Sequence, residues 1–162
     1  MTKKSQQGKK FCKHETDLLI DIENVVGASE LTSANVIEVK TAMDLMEGAN
    51  VMQVVACSHH NAEVVMFNWP KARIILKSGK DGADLALIKV ATDEDIAKRF
   101  NRVVIASGDG IFTTVAKELS EQGVEVSIVC GRGALSKNLQ HQCPNIRYLS
   151  LTALELKENG NV

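Results

Sequence analysis

The chain has 162 residues, a net charge of −1, a hydrophobic fraction of 44% and a charged fraction of 24%. These values are typical of one soluble globular domain that is long enough to bury a core. They argue against a membrane protein, because no apolar run approaches the roughly 18 residues of a membrane span. No hydrophobic stretch of a secretory signal is visible near the N-terminus, so we expect a cytoplasmic protein.

The charges are distributed unevenly along the chain. Five of the 19 basic residues, and none of the 20 acidic ones, lie within residues 1–14. A basic arm of this kind can hold a phosphate backbone near an acidic site, or it can be a solvated tail that its own charge keeps disordered. We therefore predict a flexible basic tail over residues 1–14, a single domain over 15–157 and a short C-terminal tail over 158–162.

Apolar runs alternate with helical patterns from Asp17 onward. In chain order, the first half is predicted to form a strand at Leu18–Ile22, a helix from Thr32 or Ser33 to Glu47, a strand at Val51–Cys57, a short helix at Asn61–Asn68 and a strand at Arg73–Lys77. Valine and methionine recur at helical spacing in the long helix, and Pro70 stops the short one.

The second half follows a polar turn that contains glycine, Ser78–Gly82. Its predicted elements are a helix at Ala83–Arg99, a strand at Val103–Ala106, a helix at Ile111–Gln122, a strand at Val124–Val129, a short helix at Leu135–Gln140, a strand at Ile146–Leu149 and a last helical turn. Strands that are apolar on both faces and separated by helices indicate a parallel sheet covered on both sides. The sequence predicts an α/β fold, a three-layer α/β/α sandwich with a mainly parallel sheet of five or six strands.

Three aspartates follow strands of this predicted sheet, where ligands of such folds bind. Asp21 follows the first strand, Asp84 the third and Asp109 the fourth. Only one edge of the sheet receives all three, so we expect their carboxylates to converge. Clustered carboxylates repel unless a cation neutralises them, and Mg²⁺ or Mn²⁺ suits such oxygen ligands and promotes phosphoryl chemistry. A structural role as turn formers and helix caps is the alternative.

The sequences around these aspartates form three ordered motifs, which are LLIDIENVVG (18–27), ILKSGKDGADLALIK (75–89) and RVVIASGDGIF (102–112). Their order and spacing resemble the NYN domain family of PIN-like, metal-dependent ribonucleases over roughly residues 17–150. The resemblance implies a PIN-like fold with strand order 3-2-1-4-5 and cleavage of RNA. It also implies that Asp21, Asp84 and Asp109 are metal ligands and catalytic residues, and that Asn24 orients Asp21 or contacts substrate.

Two positions depart from the family pattern. Ile111 stands where members often have the second acid of S-G-D-x-D, and Val90 stands where another acid often follows the middle motif. We therefore expect one metal ion rather than two. Asp81 is the auxiliary carboxylate that can partly compensate, whereas Glu23 is the weaker candidate if the first strand continues to it.

Further polar residues on the same edge are predicted to bind substrate. They are Ser107, His59, Lys80, Arg132, Ser136 and Lys137. Structural interpretations stay open, since Ser58 or Asn61 can cap a helix, glycines beside Arg132 can form an ordinary turn, and surface lysines are usually solvated. Few aromatic residues are present, and we expect core packing for Trp69, Phe112 and Tyr148, so affinity for RNA should come from charge and metal rather than base stacking.

These observations favour a metal-dependent endoribonuclease with RNA as its partner and no membrane association. The alternative is a catalytically weak RNA-binding or regulatory module on the same scaffold, because two ligands of the family pattern are absent. Other phosphoryl chemistry, such as that of a DNA flap or nucleotide hydrolase, is a third hypothesis. A homodimer is the default expectation for the oligomeric state.

Overall fold

The structure is a computed structural model that describes residues 14–151. Its strands are β1 (His14–Asp21), β2 (Met52–Cys57), β3 (Arg73–Leu76), β4 (Phe100–Ala106), β5 (Glu125–Cys130) and β6 (Ile146–Tyr148). The α-helices of this range are α1 (Ile22–Val26), α2 (Ser33–Glu47), α3 (Ala62–Asn68), α4 (Gly82–Asp93), α5 (Ile96–Arg99), α6 (Thr113–Glu121) and α7 (Lys137–Gln142). Short 3₁₀ helices occur at His59–Asn61 and Gly110–Phe112. The predicted last helical turn and both predicted tails, apart from His14, lie outside the described residues.

The six strands form one sheet in the order β3-β2-β1-β4-β5-β6, and every neighbouring pair is parallel. This arrangement confirms the predicted α/β sandwich and the order 3-2-1-4-5, with β6 added at one edge. The strand β1 is central, so its last residue, Asp21, pairs with Ala56 of β2 on one side. On the other side Ile20 pairs with Ala106, the last residue of β4. The ends of β1 and β4 therefore lie side by side.

Both faces of the sheet are buried, because β1 contributes to two separate apolar clusters. Leu19 packs with residues of α4, α5, α6 and α7 on one face. Leu18 and Ile20 pack with residues of α1, α2 and α3 on the other. Since side chains alternate along a strand, Asp17 and Asp21 point to the same face as Leu19. We call this side of the sheet the α4 face.

The predicted first strand was wrong at its end. Ile22 does not continue β1 but begins α1, a helix of five residues that the sequence analysis missed. Gly27 ends α1 in a left-handed conformation with φ 75°, and its N–H donates to the carbonyls of Glu23 and Asn24. Five residues are too few to show helical periodicity, and this glycine cap is the signal that could have revealed the helix.

The predicted helix Ala83–Arg99 is in fact two helices. Its apolar pattern continues through the break because Ile96 and Ala97 of α5 pack into the same cluster as α4. The chain turns between them at Asp95, which adopts a left-handed φ of 53°. The next strand starts earlier than predicted, at Phe100, whose side chain is buried.

Candidate acidic active site

The carboxyl edge of the sheet contains a cleft with a volume of about 230 Å³. Its lining comes from the ends of β1 and β4 and from the connections that follow β2 and β3. The lining residues are Asp21, Glu23, Asn24, Ser58, Gly79, Asp81, Gly82, Ala83, Asp84 and Asp109. The structure therefore brings Asp21, Asp84 and Asp109 together in one cleft.

Three carboxylates in this cleft are close enough to share one cation. Asp81, Asp84 and Asp109 each offer an oxygen that lies within 4.8 Å of the other two. Asp84, in the first turn of α4, is only 7% exposed, whereas Asp81 is exposed. Asp81 occupies the N-cap position of α4 but makes no capping hydrogen bond, so its side chain is available to the cleft. Among residues 14–151 no other group of three or more acids, histidines or cysteines has this proximity.

Asp21 does not belong to this group of three, although it was predicted as a ligand. It ends β1, is 5% exposed, and its carboxyl hydrogen-bonds with that of Asp84. Asp81, the predicted auxiliary carboxylate, takes its place in the group because the turn between β3 and α4 lines the cleft. This turn requires left-handed backbone at Gly79, with φ 98°, and at Asp81, with φ 56°.

Burial controls the protonation of the two innermost acids. Burial, followed by contact with Asp21 and Asp109, raises the pKa of Asp84 to about 9. Burial also raises the pKa of Asp21, although hydrogen bonds from Asp84, the Asn24 N–H and Ser107 act in the opposite direction. At neutral pH Asp84 therefore keeps a proton and shares it with Asp21. A cation in the cleft would replace this proton.

The S-G-D turn after β4 is held by its own side chains. Ser107 is fully buried, and its hydroxyl donates to Asp21 Oδ2 at 3.3 Å and accepts from the N–H of Asp109 at 3.2 Å. Asp109 Oδ1 accepts from the N–H of Ile111 at 3.0 Å and so caps the 3₁₀ helix at Gly110–Phe112. Ser107 thus contacts two acids of the cleft rather than solvent, and Asp109 keeps one carboxylate oxygen without a capping bond.

Asn24 acts on the site through both its side chain and its backbone. Its Oδ1 accepts from the N–H of Gly108 at 3.0 Å, so the side chain holds the S-G-D turn. Its backbone N–H donates to the carboxyl of Asp21. The backbone of Asn24 thus contacts Asp21 and its side chain contacts Gly108, and that Asn24 orients Asp21 or contacts substrate stays a prediction.

The glycines around Arg132 allow close packing against α1. A Cβ on Gly131 would lie 2.0 Å from the carbonyl oxygen of Val25, and a Cβ on Gly133 would lie 2.5 Å from that of Asn24. The N–H of Arg132 donates to the Val25 carbonyl at 2.8 Å. The two glycines are therefore needed for the β5–α7 connection to pack against α1. The side chain of Arg132 is exposed.

Ser136 and Lys137 begin the helix that follows. The Ser136 hydroxyl accepts from the N–H of Leu139 and caps α7, and its own N–H donates to the Gly108 carbonyl at 2.8 Å. Lys137 is exposed, as is Lys80 in the β3–α4 connection. None of these three side chains lines the cleft, but all follow strands at the same edge of the sheet.

The residues after β2 contact the site in a way that the sequence analysis missed. His59 is exposed, and its Nδ1 lies 2.8 Å from the Ser78 hydroxyl, which joins the β2–α3 and β3–α4 connections. Ser58 and Asn61 do not cap a helix through their side chains; both donate to the carboxylate of Glu23. Glu23 is the weaker candidate only if β1 continues to it, but β1 ends at Asp21 and Glu23 lies in α1.

The two departures from the family pattern are apolar positions in the structure. Val90 is 5% exposed in the cluster on the α4 face, and Ile111 is partly buried against the same cluster.

Trp69 and Phe112 are buried, as expected. Core packing was wrong for Tyr148, which is 64% exposed because β6 is an edge strand.

Comparison with known proteins agrees with this architecture. A family model described as the NYN domain matches residues 15–151. The fold is similar to the crystal structure of a protein of unknown function from Vibrio parahaemolyticus, with a TM-score of 0.62 and 17% identity over 85% of this chain and 94% of that one. That likeness shows the fold alone, and no curated protein matches the sequence. None of the helices between residues 14 and 151 has the length and apolarity of a transmembrane helix.

Proposed function

We propose that this chain, which belongs to the NYN domain family of PIN-like nuclease domains, is a metal-dependent endoribonuclease that cleaves RNA phosphodiester bonds. The observation that carries the proposal is the environment of Asp84. Its carboxyl is 7% exposed, lines the cleft and contacts the acids Asp21 and Asp109. A buried acid among acids raises the free energy of the apo protein, and such an arrangement is typical of a functional site.

The side chains present fit a hard divalent cation. Asp81, Asp84 and Asp109 offer carboxylate oxygens within 4.8 Å of one another, which is the donor type that Mg²⁺ and Mn²⁺ prefer. Asp21 contacts Asp84 and completes the set of ligands that the family implies. We propose one ion, because the apolar side chains of Ile111 and Val90 add no ligand for a second.

The residues at and around the cleft have different roles in the proposed reaction. When bound, the cation would bind a phosphate oxygen and lower the pKa of a coordinated water. Ser107 and the Asn24 N–H hold Asp21 in place, and the Asn24 side chain holds the turn that carries Asp109. On binding of the cation, Asp84 would release its proton to solvent and act as a carboxylate ligand.

Exposed polar side chains around the cleft supply the proposed contacts with RNA. Lys80 lies beside Asp81, while Arg132 and Lys137 follow β5 on the other side of β1, and His59 follows β2. Cationic side chains on both sides of an acidic cleft would hold successive phosphates while the cation offsets the repulsion at its centre. A cytoplasmic location and a homodimer remain predictions from the sequence.

The test is cleavage of mixed-sequence RNAs by the full-length protein with Mg²⁺, Mn²⁺ or EDTA. Asp109→Asn keeps an acceptor for the Ile111 N–H but removes the charge, so the fold should persist while the rate falls about 100-fold or more. Asp93→Asn is the control, since Asp93 is exposed at the end of α4. Activity in EDTA, or full activity of Asp109→Asn, would overturn the proposal. RNA binding without cleavage would favour the regulatory module instead.

A further inference from the structure

Glu23 differs from the other acids of the cleft in its hydrogen bonds. Its Oε1 accepts from the N–H of Ser58 at 2.9 Å and from Asn61 Nδ2 at 2.5 Å. Its Oε2 accepts from the Ser58 hydroxyl at 3.0 Å. All three donors belong to the connection between β2 and α3. Glu23 is therefore held in one orientation, whereas Asp84 contacts mainly other acids.

Asn61 anchors this contact within the protein. It is 2% exposed, so its amide has little access to water. Besides Glu23, Nδ2 donates to the Ser29 carbonyl at 2.9 Å, and Oδ1 accepts from the N–H of Leu31 at 3.0 Å. The Asn61 side chain thus joins the segment after α1 to the start of α3, and Glu23 is part of the same network.

The network fixes α1 from two sides. Glu23 attaches the helix to the end of β2, and the adjacent Asn24 attaches it to Gly108 at the end of β4. Between these anchors, the Asn24 N–H donates to Asp21. Glu23 also lines the acidic cleft together with Asp21 and Asp84, so its charge lies beside theirs.

We propose that Glu23 is a positioning residue of the acidic site, which fixes α1 through Ser58 and Asn61 and adds negative charge that favours a divalent cation. This inference rests on the proposed metal-dependent function. In this scheme Glu23 acts through these hydrogen bonds and through its charge, and it does not itself bind the cation. Partners that orient metal ligands typically affect metal affinity by about 10-fold to 100-fold.

The experiment measures Mn²⁺ binding to the full-length protein by titration calorimetry. Glu23→Ala removes both the hydrogen bonds and the charge, and we expect affinity to fall about 10-fold to 100-fold. Glu23→Gln keeps an oxygen for Ser58 and Asn61 but loses the charge, so its loss should be smaller. Glu63→Gln is the control, because Glu63 is exposed on α3 and does not line the cleft.

A kinetic measurement separates this role from a contact with RNA. For Glu23→Gln, we expect the lost cleavage rate to recover as the Mn²⁺ concentration rises, with the KM for RNA unchanged. A higher KM for RNA at every Mn²⁺ concentration would overturn the positioning role. If Glu23→Ala does not fold, the Mn²⁺ affinities of Glu23→Gln and Glu63→Gln are compared instead, and equal affinities would overturn the positioning role.

The outcomes also separate this inference from the proposed function. Wild-type affinity for Mn²⁺ in both Glu23 variants, even with lowered thermal stability, would overturn the inference alone and leave Glu23 a structural residue. No Mn²⁺ binding by the wild-type protein would overturn the proposed metal dependence as well.

Discussion

At the amino edge of the sheet, the side chain of Glu47 is 2% exposed and is fully paired, whereas the comparably buried Asp84 at the carboxyl edge is not. Glu47 forms two hydrogen bonds with Arg102, at 2.6 and 3.0 Å, and a further one with Arg147. Asp84 instead contacts Asp21 and Asp109. The buried charge of Glu47 is therefore neutralised by two arginines, whereas, within residues 14–151, the buried Asp84 has only other acids beside it.

The size of a cavity does not distinguish the edge with the paired acid from the edge with the clustered acids. The cavity at the amino edge, lined in part by Thr16, Glu47 and Phe100, has a volume of about 620 Å³ and exceeds the acidic cleft of about 230 Å³. The amino edge nevertheless has an unpaired acid of its own. Asp17 is 1% exposed and no side chain of the described residues hydrogen-bonds to its carboxylate, and burial raises its pKa to about 7 although Arg99 and Arg73 act against the shift. The following changes test how far paired and unpaired acids differ.

The largest effect is expected for Asp84→Asn, in opposite directions for activity and stability. Cleavage of RNA should fall about 1000-fold, because a proposed ligand is lost. Without metal at pH 8, the variant should melt at a higher temperature than wild type. The folded-state pKa of Asp84, about 9, means that wild type must take up a proton when it folds at this pH, and this uptake lowers its stability. Added Mn²⁺ should raise the melting temperature of wild type only. A variant that is less stable without metal would show that Asp84 stabilises the fold.

Asp17→Asn should stabilise the protein by up to about 4 kcal/mol at pH 8, because the pKa rises from 3.8 to about 7 and each unit corresponds to about 1.4 kcal/mol. Well below pH 3.8 Asp17 is protonated in both states and the gain should vanish; it should grow as pH rises towards 7 and stay constant above. Urea denaturation at several pH values measures it. A gain that does not depend on pH would mean that ionisation of Asp17 is not its cause.

Glu47→Gln should destabilise the protein by about 3 kcal/mol, because it leaves Arg102 and Arg147 without their buried counter-charge. Both arginine side chains are partly exposed, at 27% and 32%, so the loss should lie at the low end for buried pairs. The carboxylate of Glu125 is 67% exposed and lies 3.9 Å from Arg102, so Glu125→Gln should lower the free energy of unfolding only slightly. Equal stability of the two variants in urea would contradict the contrast between the edges.

The smallest effect is expected for Ile111→Asp, which restores the acid of the S-G-D-x-D pattern. Calorimetry should show tighter Mn²⁺ binding than in wild type. Stability without metal should fall by about 1 kcal/mol, because Ile111 is partly buried against the core of the α4 face. Ile111→Asn is the matched control, with a similar loss of stability and no gain in affinity.

The sequence by itself determined the sheet and the edge at which Asp21, Asp84 and Asp109 meet. Runs that are apolar on both faces identify buried parallel strands, and residues that follow such strands must meet at one edge. Local pattern could not show that Ile22 starts a helix or that Asp95 breaks one, because α1 is too short for periodicity and the apolar pattern runs through the α4–α5 break.

Only the tertiary structure decided which side chains contact one another. Glu23 bonds with Ser58 and Asn61, residues 35 and 38 positions away, which a sequence pattern reads as helix caps. Asp81, rather than Asp21, joins the group of three carboxylates because the β3–α4 connection adopts left-handed backbone at two positions. Such contacts depend on how loops from four strands pack at one edge, and the packing is a property of the whole fold rather than of any segment.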